Sequence, residues 1–377
     1  AVVARWPAPE GAPTVLLYAH HDVQPPGDPA AWTTPPFEPS ERAGRLYGRG
    51  VTDDKAGVAV HLAAMRAFDG QPPVGVTVLV EGEEEIGSPT LPAFLESYRD
   101  VLAADVMVLA DSANWEIGTP ALTTSLRGGV DCEVTVATLQ RGVHSGIFGG
   151  PVPDALTVLC RLLATLHDEK GDVAVEGLPT SDVSPVELTE ERYRREAGVL
   201  DGVQVIGSGS IAERVWGRPA VSVLAVDAPR VADASNTLVP EARAKVSMRL
   251  APGSDADAAL DALVAHLQRH VPWGARIAVS RGSAAQPFAV DARGEPYDTA
   301  RRAFAEAWGS EPVDMGIGGS IPFIAAFVEA FPKADILVTG VGDPDTRAHG
   351  VDESLHLDEF ARACHAEALL LAGLARG

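Results

Sequence analysis

The sequence predicts an α/β fold in which a mostly parallel sheet is interrupted by a smaller, inserted α+β domain. Apolar strand-like runs alternate with amphipathic helix-like runs in residues 1–122, the order that builds a parallel sheet covered by helices. Residues 123–286 change to the order βαββαβ, which is typical of a ferredoxin-like domain. The first style of alternation returns in residues 287–377. We therefore predict one domain from the two outer segments and a second domain from the middle.

The outer segments supply the elements of the larger sheet and its helices. Predicted strands, each a short apolar run, cover residues 1–5, 14–18, 76–80, 105–110 and 335–339. Predicted helices, where apolar residues recur at helical spacing, cover residues 54–68, 91–103, 297–308, 321–331 and 357–375. Because a strand already opens the sequence, we expect a further segment of the fold to precede residue 1.

The middle segment alternates apolar and polar residues, as half-exposed strands do. Its predicted strands cover residues 131–138, 220–227, 241–250 and 275–281, and its predicted helices cover 154–168 and 255–271. The polar stretch 169–217 shows no pattern that assigns a structure to it.

Charge and cysteine content exclude several classes of function. The 377 residues carry a formal net charge of −22, so a nucleic-acid backbone or an anionic membrane would be repelled. No apolar run is long enough to span a membrane. The three cysteines are widely spaced, which favours a reduced compartment and argues against a disulfide framework. We expect a cytoplasmic protein without nucleic-acid or membrane partners.

Acids and histidines recur where predicted strands end. His20 and Asp22 follow the strand at 14–18, in LLYAHHDV, and Asp53 and Asp54 stand between glycines in GRGVTDDKAG. Each pair alone is explained as well by a surface histidine or a helix cap. However, loops at the carboxyl ends of parallel strands are where such folds place their sites.

Three more segments extend the pattern. Glu84 and Glu85 lie in EGEEEIGS after the strand at 76–80, Asp111 ends the strand at 105–110, and His349 follows the strand at 335–339. Histidine and carboxylate ligands suit zinc, or alternatively manganese or cobalt. If one carboxylate bridges, two ions about 3.5–4 Å apart become plausible. Bound cations would explain why four acids can crowd together in EGEEE.

The chain carries, in this order, the motifs LLYAHHDV, GRGVTDDKAG, EGEEEIGS, VLADS, GVHSGIFGG, SNTLVPEARAKVSMRL, GIGGSIP and AHGVDE. Together these motifs resemble the M20 family of zinc aminoacyl- and dipeptidases, most closely its carnosinase and cytosolic non-specific dipeptidase branch. The resemblance implies a dipeptidase with a catalytic domain (1–122 and 287–377) and a lid and dimerisation domain (123–286). An N-acyl-amino-acid deacylase of the same family is the alternative, and a catalytically silent metal-binding scaffold is an alternative of another class.

The resemblance also implies a role for each residue of the motifs. Asp53 would bridge two metals and precede a cis peptide bond to Asp54, Asp22 would orient a histidine, and Glu84 would be the general base. One metal would be held by Asp53, Glu85 and His349, and the other by Asp53, His20 and Asp111. The neighbouring Glu81 and Glu83 would be solvated or outer acids.

Further residues are expected to reach the substrate from the inserted domain. By resemblance, His144 of one subunit would enter the active site of the other and donate to the oxyanion, with Asn236 and Thr237 beside it. This implies a homodimer with composite sites. The resemblance also places Arg249 at the substrate.

The GGSIP motif offers a second set of substrate contacts. Gly319 and Ser320 precede a predicted helix, whose free N–H groups would suit a substrate carboxylate. Many relatives have Arg-Glu ahead of this motif, whereas Gly316 and Ile317 stand here. The departure removes a charge near the expected carboxylate site.

Overall fold

The computed structural model describes residues 1–183, 186–319 and 321–376. The chain divides into two compact units. Unit 1 comprises Ala1–Thr124, Val290–Met315 and Ile321–Gly377, and unit 2 comprises Ser125–Ala289 and Gly316–Ser320. The segment 316–320 thus belongs to unit 2, whereas the sequence analysis assigned it to the outer domain.

The strands in chain order are β1 (Val2–Trp6), β2 (Thr14–His20), β3 (Ser40–Arg42), β4 (Arg45–Tyr47), β5 (Gly75–Glu81), β6 (Val106–Leu109), β7 (Ala121–Leu126), β8 (Gly128–Ala137), β9 (Val143–His144), β10 (Ala220–Asp227), β11 (Thr237–Leu238), β12 (Glu241–Leu250), β13 (Arg276–Ala285), β14 (Phe288–Ala289), β15 (Val313–Ile317), β16 (Asp335–Val338) and β17 (Ser354–His356). The α-helices are α1 (Lys55–Ala67), α2 (Leu91–Ser97), α3 (Arg99–Leu102), α4 (Ser145–Phe148), α5 (Ala155–Ala164), α6 (Glu190–Ala197), α7 (Ala256–His270), α8 (Glu295–Trp308), α9 (Pro322–Ala330) and α10 (Leu357–Leu374).

The large sheet has a parallel centre and antiparallel edges. Its strand order is β1-β5-β2-β6-β16-β7-β14, with β15 pairing with β7. The neighbours β5, β2, β6 and β16 run parallel, whereas β1, β7 and β14 pair antiparallel. Most residues of the central strands are buried, as Leu17 and Leu109 illustrate, which explains the apolar runs of these strands. The predicted α/β class is confirmed, and the parallel strands end at one edge of the sheet.

Helix α1 packs on this sheet because its first turn is capped and its apolar residues lie on one face. The Asp54 side chain accepts a hydrogen bond from the Gly57 N–H and so caps the first turn. Ala56, Val60 and Ala64 repeat every four residues and are buried, so one stripe of the helix faces the core.

Unit 2 contains a four-stranded antiparallel sheet in the order β10-β12-β8-β13. Helices α5 and α7 pack on this sheet and bury Leu159 and Leu263 against it. With the chain order β8-α5-β10-β12-α7-β13, this is the predicted ferredoxin-like arrangement.

Several local predictions were wrong or incomplete. The helix predicted at 91–103 is interrupted at Tyr98, whose ψ of 23° ends α2 before α3 begins. The strands that were not predicted are β3, β4, β7, β9, β11, β14, β15 and β17. The unassigned stretch 169–217 contains α6, capped by Thr189. Among the described residues, no helix is both long and apolar enough to cross a membrane.

Candidate metal centre

The parallel strands of unit 1 deliver acids and histidines to one edge of the sheet. His20 is the last residue of β2, Asp111 lies two residues beyond β6, and Glu84 and Glu85 form a short 3₁₀ turn after β5. His349 lies in the loop after β16 and has a left-handed backbone with φ of 63°. Asp53 comes from the loop that precedes α1, so the cluster joins five separate segments.

Asp53 lies between the two histidines and offers one oxygen to each. Its Oδ1 is 3.1 Å from His20 Nε2, and its Oδ2 is 2.9 Å from His349 Nε2. The peptide bond from Asp53 to Asp54 is cis, as the resemblance implied. A carboxylate shared in this way has the geometry of a bridging ligand.

The side chains around Asp53 form two groups that fit divalent cations. His20, Glu84 and Asp111 each offer one ligand atom within 4.8 Å of the others, and so do Asp53, Glu85 and His349. Imidazole nitrogens with carboxylate oxygens are a donor set that zinc accepts. Glu84 lies in the first group, with Oε2 at 3.9 Å from His20 Nε2, about as close as Asp111 Oδ1 at 4.0 Å.

Crowded charges perturb the protonation of this cluster. Burial and the neighbouring Asp111 raise the pKa of Glu84 to about 8, and burial and Asp53 raise the pKa of Asp111 to about 7. Burial lowers the pKa of His20, but the Asp53 hydrogen bond and Asp111 outweigh it and raise that pKa to about 10. The acids therefore repel one another enough to retain protons near neutrality unless cations replace those protons.

Comparison with known families agrees with this geometry. The profile of peptidase family M20/M25/M40 matches residues 16–372, nearly the whole chain. The chain belongs to this family. The M20-type metallopeptidase class predicted from the motifs is thereby confirmed, and the family implies divalent metal ions.

The relatives of this M20 metallopeptidase come from the branch that the motifs indicated. A cysteinylglycine-S-conjugate dipeptidase of Corynebacterium striatum is 38% identical over 370 residues, covering 96% of this chain and 81% of the relative. A human Beta-Ala-His dipeptidase is 28% identical over 364 residues, covering 91% of this chain and 71% of the relative. The crystal structure of human carnosine dipeptidase 1 superposes with a TM-score of 0.81 at 26% identity, covering 100% of this chain and 82% of that one.

In this M20 enzyme, Asp22 contacts more than the histidine that it was predicted to orient. Its Oδ1 lies 3.3 Å from His20 Nδ1. The same carboxylate accepts hydrogen bonds from the backbone N–H groups of Glu84 (3.3 Å) and Glu85 (3.0 Å). Asp22 therefore fixes the turn that carries both glutamates.

Two residues that hold the cluster were missed by the sequence analysis. The Gln24 side chain donates to Glu85 Oε2 at 2.8 Å, and the Gln24 backbone N–H donates to Glu85 Oε1 at 2.9 Å. Glu353, which is fully buried, accepts from the backbone N–H of Asp53 at 3.2 Å and from Arg49 Nη1 at 2.6 Å. The only available signal for Glu353 was its place in AHGVDE, four residues after His349.

The two outer acids of EGEEE have separate partners. Glu81 is buried and accepts a hydrogen bond of 2.7 Å from the Tyr18 hydroxyl, and burial raises the pKa of this carboxyl. Glu83 accepts a hydrogen bond from Thr90 Oγ1. The four acids at the end of β5 thus have two kinds of surroundings: Glu84 and Glu85 belong to the cluster, whereas Glu81 and Glu83 accept hydrogen bonds from hydroxyl groups.

Unit 2 by itself brings together the three residues predicted to act across a dimer. Strands β9 and β11 pair so that His144 stands opposite Thr237, and the Asn236 carbonyl accepts from the Ser145 N–H at 2.8 Å. His144 is exposed, and its Nδ1 accepts from the Gly146 N–H at 3.0 Å. Its Nε2 is thus the ring nitrogen left to face a ligand.

The predicted substrate-binding residues also lie in unit 2. Arg249 is opposite Gly129 on β8. Gly319 is half-buried, and Ser320 lies outside the described residues. At Gly316, a Cβ atom would come within 2.7 Å of the Trp216 ring. The indole therefore occupies the space that a larger side chain at position 316 would need.

Proposed function

We propose that this chain is a dipeptidase that uses two divalent cations and Glu84 as its general base. The observation that carries the proposal is the position of Asp53, whose two carboxylate oxygens face His20 and His349 separately. Such sharing is what a bridging ligand of a two-ion centre requires.

The chain supplies three ligands to each cation. One ion is assigned to His20, Asp111 and Asp53, and the other is assigned to Asp53, Glu85 and His349. We propose zinc, with manganese or cobalt as alternatives, because the donors are nitrogen and oxygen only. When bound, the ions would supply Lewis acidity and would lower the pKa of a water molecule toward neutrality.

Glu84 is assigned as the base because it lies within the cluster but is not needed to complete either ligand set. Asp22 holds the Glu84 backbone by a hydrogen bond of 3.3 Å, so the carboxylate is presented from a fixed turn. In this position Glu84 can accept a proton from the attacking water and later donate it to the leaving amine. Its raised pKa in the cation-free cluster would fall toward the working range when cations neutralise the surrounding acids.

The relatives support a dipeptide as the substrate. The names of the Corynebacterium striatum and human relatives specify dipeptides, and the bacterial one is 38% identical to this chain. We assign Arg249, Gly319 and Ser320 to the substrate. His144, Asn236 and Thr237 of the partner subunit are assigned to a composite site in a homodimer, with His144 donating to the oxyanion.

A paired hydrolysis assay with zinc or manganese tests this function. One arm uses unblocked dipeptides, and the other uses the same dipeptides N-acetylated. We expect cleavage of the unblocked set alone, with loss of activity after chelation and in Glu84→Gln. Cleavage of only the acetylated set would replace the dipeptidase by an N-acyl-amino-acid deacylase of the same family. Failure to cleave either set, with cations bound, would favour the metal-binding scaffold.

A further inference from the structure

Unit 2 contains a cavity of its own, lined mainly by residues of the stretch 169–217, to which the sequence assigned no structure. Its volume is about 440 Å³. Three arginines line it: Arg127 just before β8, and Arg214 and Arg218 just before β10. Such a concentration of positive charge is unexpected in a chain of net charge −22.

Arg127 is bound by carbonyl groups alone. Its Nε donates to the Gly318 carbonyl at 3.0 Å, and its Nη1 donates to the Arg214 carbonyl at 3.3 Å. Within the described ranges, no carboxylate lies at ion-pair distance from this guanidinium. Burial and the nearby Arg249 lower the pKa of Arg127 to about 10. The charge of Arg127 is therefore uncompensated in its present surroundings.

The other charged groups of the cavity do not supply the missing anion. Arg214 likewise donates to carbonyl groups, those of Gly209 at 2.9 Å and Ile206 at 3.2 Å. The carboxylate of Asp172 also lines the cavity, but it accepts hydrogen bonds from the backbone N–H and hydroxyl of Ser208. Arg218 Nη2 lies 3.8 Å from Glu213 Oε1 and is thus paired. Arg127 and Arg214 are therefore the guanidinium groups of this lining that have no carboxylate partner among the described residues.

The rest of the wall is largely apolar. Val199 and Val203 follow α6, and Ile211, Val215 and Val221 complete the surface beside the arginines. A pocket with an apolar wall and a few convergent polar groups is the usual form of a small-molecule site. A half-buried guanidinium group that binds only carbonyl groups, as Arg127 does, favours an anion that can accept from it.

We propose that this cavity binds a small carboxylate with an apolar body, its carboxylate held by Arg127 and Arg214. Gly316 and Ile317 carry no charge ahead of GGSIP, and Arg127 brings a guanidinium to the same segment through the Gly318 carbonyl. The lining of the cavity includes none of the proposed metal ligands, so binding of a carboxylate here can be tested independently of the proposed hydrolysis.

Calorimetric titration of the zinc-loaded chain tests the proposal with two probes. The probes are 4-methylpentanoate and its neutral analogue 4-methylpentanamide, which share one apolar body. We expect the carboxylate to bind about tenfold or more tightly than the amide, the ratio that one charge-assisted hydrogen bond supplies. Added sodium chloride should weaken the binding of the carboxylate probe but not that of the amide probe. Equal affinity for the two probes would overturn the proposal.

Variants place the bound carboxylate. Arg127→Gln and, separately, Arg214→Gln should each lower carboxylate affinity about tenfold and leave amide affinity unchanged. Arg214→Gln preserves the contacts of Arg127 with Gly318, so it answers the question if Arg127→Gln fails to fold. Arg194→Gln is the matched control, because this arginine on α6 pairs with Glu190 at 2.7 Å and does not line the cavity.

The carboxylate could instead bind at the cations of unit 1, and Glu85→Gln separates the two sites. Retained binding in Glu85→Gln supports the cavity. Binding lost in Glu85→Gln but kept in both arginine variants would overturn the proposal, whether or not dipeptides are hydrolysed.

Discussion

Replacing Glu353 by Gln is expected to disturb the metal centre without removing any ligand. Glu353 Oε2 accepts from Arg49 Nη1 at 2.6 Å and from the Gly50 N–H at 3.0 Å. Its Oε1 accepts from the N–H groups of Thr52 at 3.1 Å and Asp53 at 3.2 Å. Four donors thus converge on one carboxylate that is fully buried.

Glutamine cannot satisfy this arrangement, because its amide offers one oxygen and one NH₂ group. Whichever way the amide turns, NH₂ faces two donors, and two hydrogen bonds are lost. Arg49, whose side chain is 1% exposed, would also lose its counter-charge. Breaking a buried ion pair from one side costs about 3–5 kcal/mol. That is a large share of the roughly 5–15 kcal/mol by which native proteins are stable.

Urea unfolding followed by circular dichroism, with and without zinc, measures this cost. The amide oxygen should turn toward the charged Arg49, so the NH₂ group faces the N–H groups of Thr52 and Asp53. Because the Asp53 N–H then loses its acceptor, we expect bound metal to fall below two ions per chain by mass spectrometry. The neighbouring Asp352→Asn is the control. Asp352 accepts from the N–H and hydroxyl of Thr33, and its replacement should cost about 1 kcal/mol. A cost below about 1 kcal/mol for Glu353→Gln, with two ions retained, would refute the reasoning.

Three further predictions follow from the cluster and the core beneath it. Glu84→Gln should lower kcat by about 10²–10⁴-fold and keep both cations, whereas Glu85→Gln should lose metal; loss of metal in Glu84→Gln would make Glu84 a ligand instead. The pKa values of Glu84 and Asp111 are raised to about 8 and about 7, so a binding cation must displace protons from these acids. Zinc affinity should therefore fall as the pH drops through this range, and a pH-independent affinity in calorimetry would contradict this expectation. His61 donates to Glu367 at 2.8 Å in the core, and this partner outweighs burial and raises the His61 pKa. The charged His61 stabilises the fold fully at pH values below its pKa in the unfolded chain, and this stabilisation is lost as the pH rises through its pKa in the folded protein. We therefore expect His61→Leu to lower the free energy of unfolding by about 3–5 kcal/mol at acidic pH and by less at alkaline pH, as measured by urea unfolding. An equal cost at both pH values would count against a charged His61.

The meeting of the segments that carry the proposed ligands could be predicted because the signals in these segments are local. An apolar run ends, and an acid or histidine follows within a few residues; parallel pairing such as His20 opposite Glu81 then brings these ends to one edge. The same logic found the ferredoxin-like order of unit 2.

What the sequence could not supply depends on contacts between distant residues. Gln24 meets Glu85 across 61 positions, and Glu353 meets Asp53 across 300. Neither contact has a local pattern, because the side chain and its backbone partner belong to different loops. Arg127 was missed for a related reason. Its hydrogen-bond partners are the Arg214 and Gly318 carbonyls, which lie on segments without a helical or strand-like pattern of apolar residues.

The acids that position the proposed ligands have a common arrangement in the chain. Asp54 stands next to Asp53 in the chain and accepts from the backbone N–H of His20 at 3.1 Å. Asp22 stands two residues after His20 and accepts from the N–H of Glu85 at 3.0 Å.

Glu353 extends this arrangement, since it follows the proposed ligand His349 in the chain and accepts from the N–H of Asp53 at 3.2 Å. Three of the five segments therefore carry one proposed ligand and one acid that binds the backbone of a proposed ligand on another segment. A change in any of these acids displaces a ligand on a different loop, so the effects of pairwise replacements should depart from additivity, as they do for residues of one hydrogen-bond network. Hydrogen bonds between these segments thus fix the geometry of the candidate metal centre, whereas the parallel sheet determines where the segments begin.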